Sequence, residues 1–230
     1  MHAAPYHFLP FPILFYVAFV ALLVFVFALI EIGVVHYTAE RLGIDRRRVF
    51  LLLLLCLLGS YVNIPVAQLP PEPVESGKIV FFYGVPHVIP VVEKWPGTIV
   101  AVNVGGALIP TGLAIYLWLK NRLYVEGLIA VAGVALVAHA LARPVRGVGI
   151  SVPTFIPPIV AAMVAVLLAW KQWKKSAPLA YVAGTLGTLI GADLMNLGAL
   201  PGLGAPIASI GGAGTFDGVF LTGLLAVLLA

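Results

Sequence analysis

The chain has 230 residues, of which 62% are hydrophobic and 10% charged, with a formal net charge of +4. A mean hydropathy of +1.10 excludes a soluble domain of this size, and the clustering of basic residues at the ends of apolar runs excludes a nucleic-acid-binding surface. The composition points to an all-α membrane protein in which residues 1–230 form a single polytopic domain partnered by the lipid bilayer, with no cofactor and no nucleic acid.

Seven transmembrane helices are expected in chain order, at about 11–37, 49–67, 97–119, 124–141, 154–173, 177–199 and 206–230. The N-terminus, Met1-His-Ala-Ala-Pro5, has no basic n-region. Its first apolar run is too long for an h-region, so no signal peptide is expected. Span one ends at Glu40-Arg41 and Asp45-Arg-Arg-Arg48, and span two contains the lone cysteine, Cys56, read as a buried spacer. Between spans two and three, Lys78 to Val92 is rich in β-formers around Gly84, which predicts a short β-rich hairpin on the outer surface. This hairpin is read as a cap on the bundle, with His87 a surface residue. Lys120-Asn-Arg122 is a tight turn, and Pro201-Gly-Leu-Gly-Ala-Pro206 joins spans six and seven as a hairpin.

Orientation follows from the basic residues. With the N-terminus outside, the inner loops hold Arg41, Arg46, Arg47, Arg48, Lys120, Arg122, Lys171, Lys174 and Lys175, and the outer loops hold Lys78, Lys94, Arg143 and Arg146, a bias of nine to four. A multi-pass cell-membrane protein with a cytoplasmic C-terminus is expected. Trp170 and Trp173 suit an inner interfacial belt.

The chemistry rests on two aspartates, Asp193 in span six and Asp217 in span seven. A carboxylate in hydrocarbon is costly, so an ionisable residue there is a functional hypothesis by default. Asn63, Asn103, His139 and Asn196 fall at similar depth, toward the outer ends of their spans, which predicts a shared polar site in the outer half of the bundle. Glu31 is the exception, near the inner end of span one. By helical phase Thr185, Asp193 and Asn196 share one arc of span six, while Gly184, Gly187 and Gly191 form a small-residue stripe for close packing. Gly214, Gly218 and Thr222 make a similar ridge beside Asp217. Asn196 and Thr215 would orient the carboxylates, and Gly211 to Gly214 would supply flexibility. No Cys/His spacing suggests a metal. Asn103-Val-Gly-Gly-Ala-Leu-Ile-Pro110 echoes Asn196-Leu-Gly-Ala-Leu-Pro201 in the opposite membrane direction, a pattern of transporters with broken helices.

Ile190-Gly-Ala-Asp-Leu-Met-Asn-Leu197 together with Ala208-Ser-Ile-Gly-Gly-Ala-Gly-Thr-Phe-Asp-Gly-Val-Phe-Leu221 resembles the C-terminal signature of an uncharacterised prokaryotic membrane-protein family that carries only a domain-of-unknown-function label. The likeness extends to Tyr61-Val-Asn-Ile-Pro65 and to Asn103–Pro110, and it implies no activity. The two aspartates also resemble, more loosely, those of intramembrane aspartyl proteases of the presenilin and signal-peptide-peptidase type. Here Asp193 follows Ala192 where that family has tyrosine, the glycine before Asp217 is differently spaced, and a later Pro-Ala-Leu element has no counterpart.

The leading expectation is an Asp193/Asp217 catalytic dyad cleaving a transmembrane peptide, one carboxylate activating water while the other holds a proton. A proton- or ion-coupled transporter or channel built on the same aspartates, or a structural membrane subunit, remain open. So does the oligomeric state.

Overall fold

The computed structural model describes residues 17–25, 33–82, 85–145, 149–201, 203–212 and 218–230. The described chain is mostly helical, with small sheets. Helices α1 (17–25), α2 (Val34–Leu42) and α3 (Arg46–Gly59) lead into strand β1 (Asn63–Gln68) and a hairpin of β2 (Glu72–Phe82) and β3 (Val85–Trp95). Strand β4 (Ile99–Asn103) runs through a π-turn, Val104–Leu108, into α4 (Ile109–Lys120), and α5 (Tyr124–Leu141) follows. A second hairpin, β5 (Arg143–Val145) and β6 (Gly149–Ser151), precedes α6 (Ile156–Leu168). Helix α7 (Ser176–Thr188) continues through a π-turn, Leu189–Asp193, and a 3₁₀ segment, Leu194–Ala199, and the chain ends with β7 (Ile207–Ile210) and α8 (Gly218–Leu229).

Helix starts follow local chemistry. Pro157-Pro158 open α6, at positions where proline's missing N–H would have no helical partner anyway, and Pro110 stands where the first π-turn passes into α4. Helix α7 is the hub. Every residue from Ser176 to Thr188 is buried, and α4, α5, α6 and α8 pack around it. A helix that is buried on all sides needs no amphipathic face, and this one is apolar or small nearly throughout.

Its glycines set the spacing, as the small-residue stripe predicts, but they serve two neighbours. A Cβ on Gly187 would lie 2.6 Å from Val134 Cβ, and one on Gly191 would collide with the Ala135 carbonyl, so these two seat α5. Gly184 instead faces Thr222, Gly223 and Ala226 of α8. The outer surface of the bundle carries many large apolar side chains. On α5, Val125, Leu128 and Leu136 are 66%, 64% and 63% exposed, and Leu167 of α6 is 69% exposed.

Two continuous helices are long and apolar enough to cross a membrane, Tyr124–Leu141 with 18 residues and Trp173–Ala199 with 27. The first coincides with expected span four and the second extends expected span six. Expected span one lies only partly within the described residues, and the remaining spans are not single helices of the expected length. Span five shrinks to the 13 residues of α6, about 20 Å of helix. Spans two, three and seven are each part helix and part strand. After α3 the chain turns at Ser60, and Pro65, lacking an N–H, cannot prolong a helix. The β-branched run Ile99-Val-Ala-Val102 suits a strand.

The strands from these three regions meet in one sheet of order β1-β4-β7. β1 pairs antiparallel with β4, placing Asn63 opposite Asn103, and β4 pairs parallel with β7 from Ile99↔Ile207 to Val102↔Ile210. Pro65 sits on the edge strand, beside a bulge, where its missing donor breaks no interior ladder. The hairpin expected between spans two and three is present, but longer than expected: β2 and β3 have 11 residues each, in register from Glu72↔Trp95 to Phe82↔Val85.

Candidate functional site

The two π-turns are where helices change into other backbone forms, and each is tied down by one polar side chain. Such turns leave backbone groups without regular partners, which is why π-turns recur at functional positions. Asn103, at the junction of β4 and the first π-turn, is fully buried. Its Oδ1 accepts the Gly106 N–H at 2.8 Å, and its Nδ2 donates to the Ser60 carbonyl at 2.7 Å and to Asn63 Oδ1 at 3.2 Å. Asn63 Oδ1 also accepts from Ser209 Oγ at 2.6 Å. One chain of hydrogen bonds therefore joins α3, β1, β4 and β7.

Asp193 ends the second π-turn. Its Oδ2 accepts the backbone N–H of Gly211 at 2.7 Å. Gly211 has φ +97° and Gly212 φ +114°, both in the left-handed region that favours glycine. A Cβ on Gly211 would also lie 2.6 Å from Ala107 N, inside the first π-turn. Gly211 is thus wedged between the two π-turns and hands its N–H to the aspartate. Gly211, the first residue of the segment expected to be flexible, is packed and hydrogen-bonded.

Asp193 Oδ1 has no hydrogen-bond partner among the described residues. The side chain lines a cleft of about 70 Å³ together with Ile150, Leu197, Leu200, Ser209 and Gly212. One wall is apolar and the other carries the carboxylate and a hydroxyl. This cleft has room for water or a small cation. The described residues contain no group of three His, Cys, Asp or Glu side chains that would hold a metal.

The predicted site residues divide. Asn63 and Asn103 are bonded to each other, and Asp193 reaches their network through Gly211 and the first π-turn. The hydrogen bonds of Asn196 among the described residues go to backbone and not to Asp193. Its Nδ2 turns back to the Gly191 and Ala192 carbonyls at 2.8 and 2.9 Å, where the π-turn gives way to the 3₁₀ segment. His139 is exposed near the end of α5 and stands apart from the cleft, because α5 turns that face outward. Asp217 and Thr215, like Glu31 and Gly214, lie outside the described residues.

Sequence reasoning missed Ser60 and Ser209. Ser209 sits in an apolar run, Ile207-Ala-Ser-Ile210, and strand alternation there is the signal that places it on one face with Asn63.

A family model described as "Protein of unknown function (DUF1614)" matches residues 57–229. The match covers the sheet, both π-turns and Asp193, and it leaves out α1, α2 and most of α3. No curated protein and no solved structure matches the chain. The looser likeness to intramembrane aspartyl proteases thus finds no support in these comparisons.

Proposed function

We propose that this chain, which belongs to the DUF1614 family, is a multi-pass membrane protein that moves a proton or a small cation past Asp193. Membrane embedding is supported by the two long apolar helices and by the exposed apolar faces of α5 and α6. A soluble monomer rarely exposes such continuous apolar surface. In this reading the broken spans two, three, five and seven complete a seven-span bundle, with β4 and the π segments packed inside it. Irregular backbone is tolerated at membrane depth where protein or a cavity satisfies it, and discontinuous helices gather at transporter binding sites.

The observation that carries the proposal is the position of Asp193: the last residue of a π-turn, one oxygen held by Gly211 N–H and the other, beside a cleft, without a partner among the described residues. A carboxylate so placed holds a proton or cation on Oδ1 while Oδ2 keeps the loop in register. Asp217, the residue before α8 in sequence, is proposed as a second functional carboxylate. The polar chain Asn103–Asn63–Ser209 keeps the sheet closed around the cleft.

The test is uptake by the purified full chain in proteoliposomes, under an imposed pH or cation gradient. Asp193→Asn keeps an acceptor for the Gly211 N–H and removes the charge. Uptake by the wild type and its loss in Asp193→Asn, with unchanged folding, supports transport. Cleavage of a transmembrane reporter peptide that depends on Asp193, without uptake, assigns the aspartates to a protease dyad instead. Neither activity favours a structural subunit.

A further inference from the structure

The opposite end of α7 carries a second site. A cleft of about 390 Å³ opens between the end of α2, the turn after α4 and the start of α7, lined by Arg41, Lys120, Asn121, Lys174 and Glu40. Three cations meet one carboxylate there, Glu40, whose Oε1 also lies 3.0 Å from His36 Nε2, so positive charge is in excess. None of the three cations forms an ion pair among the described residues.

Arg41 is held in place. Its guanidinium lies 5.7 Å from the Tyr37 ring centroid and 5.6 Å from that of Trp173, and its Nη2 donates to Ser176 Oγ at 3.2 Å. Its Nε is buried without a hydrogen-bond partner. Lys120 donates one hydrogen bond to the Gly43 carbonyl and lies 5.5 Å from the Tyr116 ring centroid. An ammonium has three donors, so two remain for a ligand. A fixed, partly desolvated guanidinium beside two ammonium groups is the donor set that recognises phosphate oxygens.

We propose that this cleft binds a phosphate-bearing anion through Arg41, Lys120 and Lys174. The ring of Tyr37, Tyr116 and Trp173 around the cations is the composition of a membrane–water interface, and basic pockets between helices at that level hold anionic headgroups. A phospholipid headgroup and a soluble phosphate share the recognising chemistry. The identification of lipid as the source rests on the membrane reading above. The cleft itself does not, and it is independent of Asp193.

The experiment uses the purified full chain in detergent, stripped of lipid. Thermal unfolding and native mass spectrometry follow added phosphatidylglycerol, phosphatidylcholine of the same chains, or inorganic phosphate. The wild type is expected to bind phosphatidylglycerol more tightly than phosphatidylcholine, with roughly fivefold of that preference lost per cation removed. Arg41→Gln and Lys174→Gln should each show that loss, and the exposed Arg47→Gln should not. Lys174 forms no hydrogen bond or ion pair among the described residues, so its variant carries the test if Arg41→Gln fails to fold. Stabilisation by inorganic phosphate that competes with the lipid assigns the cleft to a soluble anion. No preference for phosphatidylglycerol and no response to phosphate overturns the proposal, as does equal loss in Arg47→Gln.

Discussion

The Asp193 carboxylate accepts the backbone N–H of Gly211 at 2.7 Å, and Gly211 in turn packs against Ala107 of the other π-turn. One glycine therefore couples the acidic end of α7 to the start of α4. It does so by conformation and by size, and both requirements are open to substitution.

Gly211→Ala should destabilise the protein. A left-handed φ costs a residue with a Cβ about 1–2 kcal/mol, and overpacking against Ala107 adds about 1–3 kcal/mol. Thermal unfolding in detergent measures the sum. A variant as stable as the wild type would show that the turn has room to relax, and the wedge would lose its meaning.

Asn103→Ala should also destabilise, by about 1–3 kcal/mol, because it leaves the Gly106 N–H and the Ser60 carbonyl buried without their partner. Asn103→Asp keeps the acceptor for Gly106 but loses both donated bonds and buries a charge, so it should be no better tolerated. Unfolding midpoints of the two variants decide the point.

Asn63 and Ser209 should be coupled. They bond across strands that are not neighbours in the sheet, 2.6 Å apart. A double-mutant cycle of Asn63→Ala and Ser209→Ala is expected to return a coupling energy of about 0.5–1.5 kcal/mol. Simple additivity would mean that the hydroxyl bonds water equally well.

Topology supplies a fourth expectation. With Cys56 replaced by alanine, single cysteines at Arg47 and Lys94 should react with an impermeant thiol reagent from opposite sides, position 94 from outside. The nine-to-four distribution of basic residues is the reason. Labelling of position 47 from outside the intact cell reverses the assignment.

Much of this protein is written locally. The apolar run 124–141 is long enough to be a helix whatever surrounds it, and α5 has those same bounds. The β-rich stretch around Gly84 yields a hairpin because its strands are adjacent and need only each other. Of the polar residues picked out, Asn63 and Asn103 share a hydrogen bond, and Asp193 bonds Gly211, which packs against the π-turn that follows Asn103.

What the residues could not reveal alone is which apolar runs stop being helices. An apolar strand and an apolar helix segment have the same composition, and periodicity does not separate them when no face is polar. β1, β4 and β7 exist because they pair with one another across long stretches of chain: Ser209 finds Asn63, and Ile207 finds Ile99. A strand's hydrogen bonds lie outside its own sequence, whereas a helix closes its own. The role of Asn196 was hidden for the same reason. Its amide serves the carbonyls of a π-to-3₁₀ change that only the packing of Gly191 on α5 imposes.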